Sequence, residues 1–276
     1  MARIVGVTYY PVKGCAGVAV AASRVTADGL EHDREYVVVD EARELRWQWG
    51  DPRLALITPE LGPEPGPGPG SLTLRAPGCG EVRVSGEPGE SVTLPGRSYG
   101  GVDQGDAAAG WLTEVLGRPT RLLRVRRREQ PTDVGAPGAL PVANHSRLHV
   151  VSRASLDELN RRLAERGVPP LPMNRFRPNL VVDGWTAPHT EDDARRMTIA
   201  GADAADGPLE LALTELTVRC AITMVDQETG RRASPEPLRT LADYRRADGG
   251  IVFGAYFTVR RPGKAAVGDE VTAWKE

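Results

Sequence analysis

Short apolar or alternating segments run along most of this chain of 276 residues, and glycine, proline or aspartate soon interrupts each of them. Segments of this kind are typical of β-strands bounded by turns. The clearest are 5–10, 36–39, 209–218, 251–259 and 271–274. Few segments have helical periodicity. We therefore predict an α+β fold that is mainly β and of barrel type, rather than a doubly wound sheet.

Two segments have the pattern of amphipathic helices. The first runs from about Ala107 to Leu116, and Gly117 supplies a left-handed stop. In the second, Ser155 is predicted as the N-cap and Glu158 completes a capping box. The apolar run from Leu54 to Thr58 predicts a further strand.

The composition argues against several classes of protein. A formal net charge of −2 predicts no general affinity for nucleic acid or anionic membranes. No apolar run approaches the roughly 18 residues of a membrane span. The cysteines, Cys15, Cys79 and Cys220, are scattered, which favours a reducing compartment and a cytoplasmic location. They contain no closely spaced pair, and His145 and His149 straddle a predicted loop-to-strand junction, so we expect no zinc site or iron–sulfur cluster.

Cys220 is the first candidate for chemistry. It directly follows Arg219 at the end of an alternating segment, and a polar turn comes after it. Thiolates are soft metal ligands and strong nucleophiles, and a neighbouring cation favours the thiolate form. An isolated cysteine is also typical of a small buried hydrophobe, so both interpretations stay open at this point.

Two polar clusters follow predicted strands in the N-terminal part. Lys13 and Gly14 can present an ammonium group and bare backbone N–H groups to an anion, although a surface turn has the same composition. Asp33 and Arg34 fit either a structural ion pair or a guanidinium group aimed at a phosphate.

Two further clusters lie in the C-terminal part. Arg177 and Asn179 lead into a buried type of strand, where polar side chains are costly to bury unless they bind something. Tyr256 lies on an apolar strand beside Gly254, and its hydroxyl is a candidate ligand contact. A core strand with a closely packed glycine is the alternative.

Taken in order, these clusters resemble the family of proteins with a MOSC domain preceded by its N-terminal β-barrel domain. The resemblance is to the mitochondrial amidoxime-reducing component and its bacterial counterparts, and it covers nearly the whole chain. The matching segments are 10–13, 29–34, 176–179, 219–220, 225–230, 237–241, 253–254 and 268–269. A single fragment of this kind is weak, whereas their order and spacing together are specific.

The resemblance implies a fold of two β-barrel-like domains with a few short helices, the N-terminal barrel at 1–125 and the MOSC domain at 126–276. It implies the molybdenum cofactor (Mo-molybdopterin), and in the amidoxime-reducing branch a protein thiolate ligates the metal. That thiolate matches Cys220, and Asp226 after it is a candidate proton relay. The other implied cofactor contacts are Lys13, Gly14, Arg34, Arg177, Asn179, Arg219 and Tyr256.

Two departures from the family pattern affect this interpretation. Gly14 stands where amidoxime reducers usually carry serine, so one side-chain donor is lost. The segment 45–52 does not reproduce the usual one, and Trp47 and Trp49 within it are expected to reshape the substrate side.

The implied function is molybdenum-dependent reduction of small N-hydroxylated or N-oxide-type compounds. Because the chain has no cysteines for a cluster, electrons are expected from a separate protein, a ferredoxin or a cytochrome b5-like donor. No nucleic acid and no membrane span are expected. The alternatives are a sulfur-transfer protein with a persulfide on Cys220, a non-catalytic carrier of the cofactor, and a family member that has lost it.

Overall fold

The computed structural model describes residues 1–62, 71–84, 89–95, 100–126, 147–200, 207–232 and 234–275. Their strands are β1 (Ala2–Tyr9), β2 (Val18–Val20), β3 (Ala22–Thr26), β4 (Gly29–Leu30), β5 (Tyr36–Val39), β6 (Thr58–Leu61), β7 (Leu72–Ala76), β8 (Gly80–Val84), β9 (Ser91–Thr93), β10 (Gly100–Asp103), β11 (Arg121–Arg126), β12 (Arg147–Ser152), β13 (Leu180–Asp183), β14 (Arg196–Ala200), β15 (Leu209–Val218), β16 (Arg246–Ala247), β17 (Gly250–Arg261), β18 (Gly263–Ala266) and β19 (Glu270–Trp274). The helices are α1 (Asp106–Leu116), α2 (Arg153–Glu165), α3 (Thr190–Asp193) and α4 (Leu238–Leu241). The predicted α+β, mainly β fold is confirmed.

Seven strands close into a barrel in the order β12-β13-β1-β19-β14-β15-β17, and β17 pairs back onto β12. β1 lies between β13 and β19 and is antiparallel to both. Because successive side chains of a strand face opposite sides, one face of each strand contributes to a shared apolar core. Ile4, Val150 and Phe257 are fully buried in it. The first strand of the chain is therefore part of a barrel whose other strands come from the second half.

The N-terminal part adds smaller antiparallel sheets. One has the order β5-β11-β10-β9 and another the order β6-β7-β8. Helix α1 buries Trp111 and Leu112 in the apolar cluster between them, together with Leu54. A third sheet has the order β18-β3-β4, so a strand near the end of the chain pairs with one near its beginning. The domain boundary between residues 125 and 126 stays a prediction.

The two helix predictions have different outcomes. The first helix is confirmed as α1, and Gly117 ends it in the left-handed conformation with φ 72°. The N-cap predicted at Ser155 is wrong, because α2 begins at Arg153 and the hydroxyl oxygen of Ser152 accepts the N–H of Ser155 at 3.1 Å. No helix in the described ranges is long and apolar enough to cross a bilayer.

The strand predicted at 54–58 is also wrong over most of its length. Pro52–Leu56 forms a turn of 3-10 helix, in which the N–H of Leu54 donates to the carbonyl oxygen of Asp51 at 3.0 Å. Proline at the start of a helical turn lacks only a donor that the turn would leave unused, so the local chain favours the turn over a sheet.

Candidate functional site

Two loop segments of the N-terminal part run side by side, 10–13 and 33–36. The N–H of Arg34 donates to the carbonyl oxygen of Tyr10 at 2.7 Å, and the N–H of Lys13 donates to that of Tyr36 at 2.8 Å. The carboxylate of Asp33 accepts the N–H of Tyr10 at 2.7 Å. This ladder places the backbone of the predicted Lys13 cluster against that of the Arg34 cluster.

The ring of Tyr10 is a platform shared by arginines from both halves of the chain. The guanidinium carbon of Arg34 lies 4.9 Å from the ring centroid, and that of Arg177 lies 4.2 Å from it. Both distances suit a cation–π contact. The hydroxyl of Tyr10 donates to the carbonyl oxygen of Pro178 at 3.1 Å, which ties the two segments together. Burial raises the pKa of Tyr10 to about 12, so the hydroxyl stays protonated.

Arg219 brings a third guanidinium group to the same region. We call the group formed by Arg34, Arg177 and Arg219 near Tyr10 the arginine corner. Arg219 donates to the carbonyl oxygen of Phe176 at 2.9 Å, and another of its nitrogens lies 3.4 Å from Nε2 of His149. Its Nε is buried and has no hydrogen-bond partner among the residues that the structure describes. Burial lowers its pKa, and the positive charge of Arg34 acts in the same direction. An unsatisfied buried donor on a cation favours an acceptor from outside the chain.

His149 is a neutral component of this corner that sequence reasoning did not assign to it. The side chain is 1% exposed, and burial lowers its pKa well below the usual value, with the charge of Arg219 acting in the same direction. With the proton on Nδ1, which lies 3.4 Å from the carbonyl oxygen of Arg177, Nε2 can accept from Arg219. His149 therefore links two of the arginines without adding charge.

The amide of Asn179 connects strands. Its Oδ1 accepts the N–H of His149 at 3.1 Å, and its Nδ2 donates to the carbonyl oxygen of Thr8 at 3.1 Å. The side chain is 1% exposed. These two bonds give Asn179 a structural role beside His149, and its predicted role as a cofactor contact stays a prediction.

Positive charge exceeds negative charge here. Asp33 pairs with Arg34, whose side chain is 12% exposed, whereas the hydrogen bond found for the guanidinium of Arg177 runs to an uncharged amide. Burial lowers the pKa of Arg177 to about 10, and repulsion by Arg34 contributes. Arg34 and Arg177 also have left-handed backbones, with φ of 55° and 54°. Strained backbone and like charges placed close together cost free energy, and a bound anion would compensate the charge here.

Cys220 lies at the exposed edge of this corner. It follows Arg219 at the end of β15, and a turn of 3-10 helix at Ala221–Met224 begins directly after it. Its charge would interact with that of Arg219. Cys15, by contrast, is fully buried, and burial raises its pKa to about 12. An exposed thiol can meet a ligand, whereas the buried one is inert.

Tyr256 and Gly14 are the last two of the residues predicted as cofactor contacts. The ring centroid of Tyr256 lies 5.3 Å from that of His149, and its hydroxyl is close enough to influence the charges of Arg34 and Arg219. Gly14 has a left-handed backbone with φ 87°, a conformation that suits glycine. A Cβ at Gly14 would lie 3.9 Å from the Cα of Trp47, whose own side chain is 42% exposed.

Gln48 and Gln227 form a reciprocal amide pair that sequence reasoning missed. Nε2 of Gln48 donates to Oε1 of Gln227 at 3.0 Å, and Nε2 of Gln227 donates back at 2.9 Å. Gln48 also donates to the carbonyl oxygen of Gly14 at 2.7 Å, and Arg177 donates to Gln227 at 3.4 Å. No spacing rule in the sequence joins two glutamines this far apart.

Asp226, the candidate proton relay, has hydrogen-bond partners that do not belong to the arginine corner. It accepts from Arg175 at 2.9 Å and from the N–H and hydroxyl of Thr229 at 2.8 and 3.0 Å. Burial raises its pKa, but the hydrogen bonds from Thr229 and Glu228 and the charge of Arg175 outweigh that effect, so the pKa is lowered. A carboxylate held in this way is a poor proton carrier near neutral pH; its catalytic role stays a prediction.

No group of three or more histidine, cysteine or acidic side chains in the described part of the chain has a metal-binding arrangement. His145, the other member of the histidine pair, lies outside the described residues.

Fold and site define a class: a β-barrel protein in which segments from both halves of the chain converge on one cationic corner beside an exposed thiol. Sequence comparison agrees. The profile of the MOSC domain matches residues 137–272, and that of the MOSC N-terminal β-barrel domain matches residues 1–119. The chain belongs to the MOSC domain family.

Relatives of two kinds match this chain. Mitochondrial amidoxime-reducing component 1 of Homo sapiens is 31% identical over 95% of this chain and 80% of its own length. Mitochondrial amidoxime reducing component 2 of Rattus norvegicus has the same identity and coverage. Molybdenum cofactor sulfurase of Oryza sativa subsp. japonica is 29% identical over 89% of this chain, which corresponds to 31% of the sulfurase.

Proposed function

We propose that this protein is a molybdenum-cofactor-dependent oxidoreductase that reduces small N-hydroxylated or N-oxide-type compounds, with electrons from a separate donor protein. The observation that carries the proposal is the convergence of three arginines, one buried and two partly buried, on the edge where Cys220 is exposed. A pterin phosphate is an anion, and the molybdenum that it carries accepts a soft thiolate.

The residues present fit such a group. The arginine corner has an excess of positive charge, and Nε of Arg219 is a buried donor without a partner in the described part of the chain. Arg34 and Arg177 would hold the phosphate through charge-assisted hydrogen bonds, with Lys13 on the neighbouring segment. The backbone at Gly14 replaces a side-chain donor. Tyr256 is proposed to offer its hydroxyl at the same edge.

Cys220 is the proposed metal ligand. The bound cofactor would supply two-electron chemistry that can take oxygen from an N–O bond; the protein would orient it and set the charge around it. Arg219 lies next to the thiolate, and neutral His149 holds Arg219 in place without adding a charge. Trp47, exposed beside Gly14, is a candidate contact for a planar substrate at the rim.

The test is metal analysis combined with turnover. The full chain is purified from a host that makes the cofactor, and molybdenum per chain is measured for the parent, Cys220→Ser and the control Cys79→Ser. Reduction of benzamidoxime is followed with a ferredoxin or cytochrome b5-like donor. We expect about one molybdenum per chain and turnover in the parent and the control, and loss of both in Cys220→Ser.

Each rival has its own outcome. A protein without metal that carries a cyanide-labile sulfur on Cys220 would instead be a sulfur-transfer protein, and the chain is also similar to a cofactor sulfurase. Metal that binds without any reduction, given a competent donor, would indicate a carrier. Absence of metal and of labile sulfur would indicate a relative that has lost its cofactor. A cytoplasmic location is proposed together with this function, from the scattered cysteines.

A further inference from the structure

Arg175 precedes Arg177 by two residues but has different partners. Its side chain is 4% exposed. One terminal nitrogen donates to the carbonyl oxygen of Thr223 at 3.3 Å, and the other donates to Oδ2 of Asp226 at 2.9 Å. Both acceptors lie in the segment that follows Cys220. Arg175 thus binds the chain just beyond the thiol, while Arg177 stacks on Tyr10 in the arginine corner.

The segment held by Arg175 is itself ordered by short-range hydrogen bonds. The carbonyl oxygen of Cys220 accepts the N–H of Thr223 at 3.2 Å and its hydroxyl at 3.0 Å. The N–H of Val225 donates to the carbonyl oxygen of Ile222 at 3.0 Å. The backbone of Cys220 is therefore coupled through Thr223 to the guanidinium of Arg175.

Asp226 fixes the far end of the same segment. Its Oδ1 accepts from Thr229 and from the N–H of Glu228 at 3.1 Å, which leaves Oδ2 for Arg175. Because the pKa of Asp226 is lowered, the ion pair persists at neutral pH. Arg175 thus binds the turn at two points, the carbonyl oxygen of Thr223 in its middle and the carboxylate of Asp226 at its end.

We infer that Arg175 and Asp226 form a positioning pair for the turn at 220–226 and thereby hold the Cys220 thiol beside the arginine corner. The inference rests on the proposed function, and it assigns Asp226 to positioning rather than to proton transfer. The two arginines of the 174–179 segment then have separate tasks: Arg177 faces the anion, and Arg175 orients the ligand thiol.

The test compares Arg175→Met with a matched control. Arg245 and Asp192 form another ion pair of low exposure, 14% and 12% for the two side chains, so Arg245→Met removes a similar interaction elsewhere. All variants carry Cys79→Ser, so that Cys220 is the accessible thiol while Cys15 is buried. Alkylation by anionic iodoacetate and by neutral iodoacetamide is measured on the metal-free full chain at one pH.

The ratio of the two alkylation rates reports the positive potential at the thiol, and thiolate content cancels from it. In Arg175→Met we expect this ratio to fall at least about threefold as the thiol moves away from the arginines. We also expect hydrogen exchange at 221–226 to increase. Arg245→Met should lose a comparable amount of thermal stability, but it should leave the rate ratio and the hydrogen exchange at 221–226 unchanged. In the loaded protein, kcat should fall while KM changes little.

An unchanged rate ratio and unchanged exchange in a folded Arg175→Met protein would overturn the inference, because the pair would then be only structural. If Arg175→Met does not fold, Asp226→Asn, which keeps the size of the side chain, must show the same decrease in the ratio. Arg175→Lys should recover only part of the rate ratio that Arg175→Met loses, since lysine has no planar group that can bind both acceptors. Failure of the proposed function appears separately, as a parent protein without molybdenum.

Discussion

Arg177 and Arg219 carry guanidinium charges that have no carboxylate partner among the described residues, and such charges cost the ligand-free fold free energy. Arg34 has a carboxylate beside it, but Arg177 and Arg219 rely on uncharged partners, and burial lowers the pKa of both. The proposed anionic ligand would neutralise this charge, so under the proposal these arginines reduce the stability of the ligand-free protein.

We therefore expect Arg177→Met to stabilise the cofactor-free protein. Methionine retains an apolar stem of similar length and removes the buried charge, so the free energy of unfolding should rise by about 1–2 kcal/mol. Molybdenum content should fall at least about tenfold. Urea unfolding and metal analysis measure the two effects. Arg3→Met, an exposed substitution, should change neither. A large loss of stability would show that the chain itself stabilises the Arg177 charge.

His149 predicts a pH dependence of stability. The pKa of His149 is lowered in the folded state. Below about pH 6.5 the imidazole therefore binds a proton in the unfolded state but stays neutral in the folded state. Stability should then decrease as the pH falls, by up to about 1.4 kcal/mol per pH unit. Urea unfolding at pH 7.5 and 5.5 should show a smaller loss for His149→Gln than for the parent. Equal losses would mean that His149 titrates normally in the fold.

At the scale of elements, β17 is the strand whose position is most constrained by its neighbours. This strand pairs with both β15 and β12 and so closes the barrel. Its register with β15 shifts between the pairs Leu216↔Ala255 and Val218↔Val252, where Gly254 has φ 76°. The irregularity lies beside the arginine corner, since a Cβ on Gly254 would come within 2.7 Å of Nε2 of His149.

Gly254→Ala should therefore lower the free energy of unfolding by about 2–4 kcal/mol, because the new methyl group adds a clash to an unfavourable φ. Gly268→Ala is the matched control. Gly268 has φ 99° but no atom within 4 Å of a built Cβ, so backbone strain alone should lower stability by about 1 kcal/mol. Equal effects of the two substitutions in thermal or urea unfolding would exclude the clash.

The elements also show what a sequence can and cannot predict. Alternation and turn residues located β15, β17 and β19, because these signals are local. The N-cap of α2 was misplaced because Ser152 and Ser155 both suit a cap, and the choice depends on where β12 ends. In the site, Cys220 and the arginines stood out by residue type. The amide pair of Gln48 and Gln227 did not, since only the tertiary fold brings the two together.

At the scale of the whole molecule, that amide pair joins the N-terminal part to the barrel. Gln48 is completely buried and also binds Gly14, while Gln227 accepts from Arg177. The pair thus lies where the segments of the two halves that carry the proposed anion contacts meet. A pair of amides that satisfy each other, one buried and one partly buried, should couple the two parts energetically.

A double-mutant cycle with Gln48→Met and Gln227→Met tests the coupling. We expect a coupling energy of about 1–2 kcal/mol in urea unfolding, since each single change removes both hydrogen bonds between the two amides and leaves the other amide without this partner. Asn160→Ala serves as the control. Asn160 bonds with Leu171 elsewhere in the fold, and combined with Gln48→Met it should be additive. Additivity of the two glutamine changes would contradict the link.

The position of β1 has a consequence for how the protein is made. β1 is synthesised before both of its barrel partners, β13 and β19. Until those strands emerge from the ribosome, both edges of β1 lack their barrel partners. The barrel can therefore close only after β19 has emerged, and no ligand can meet the closed barrel before then.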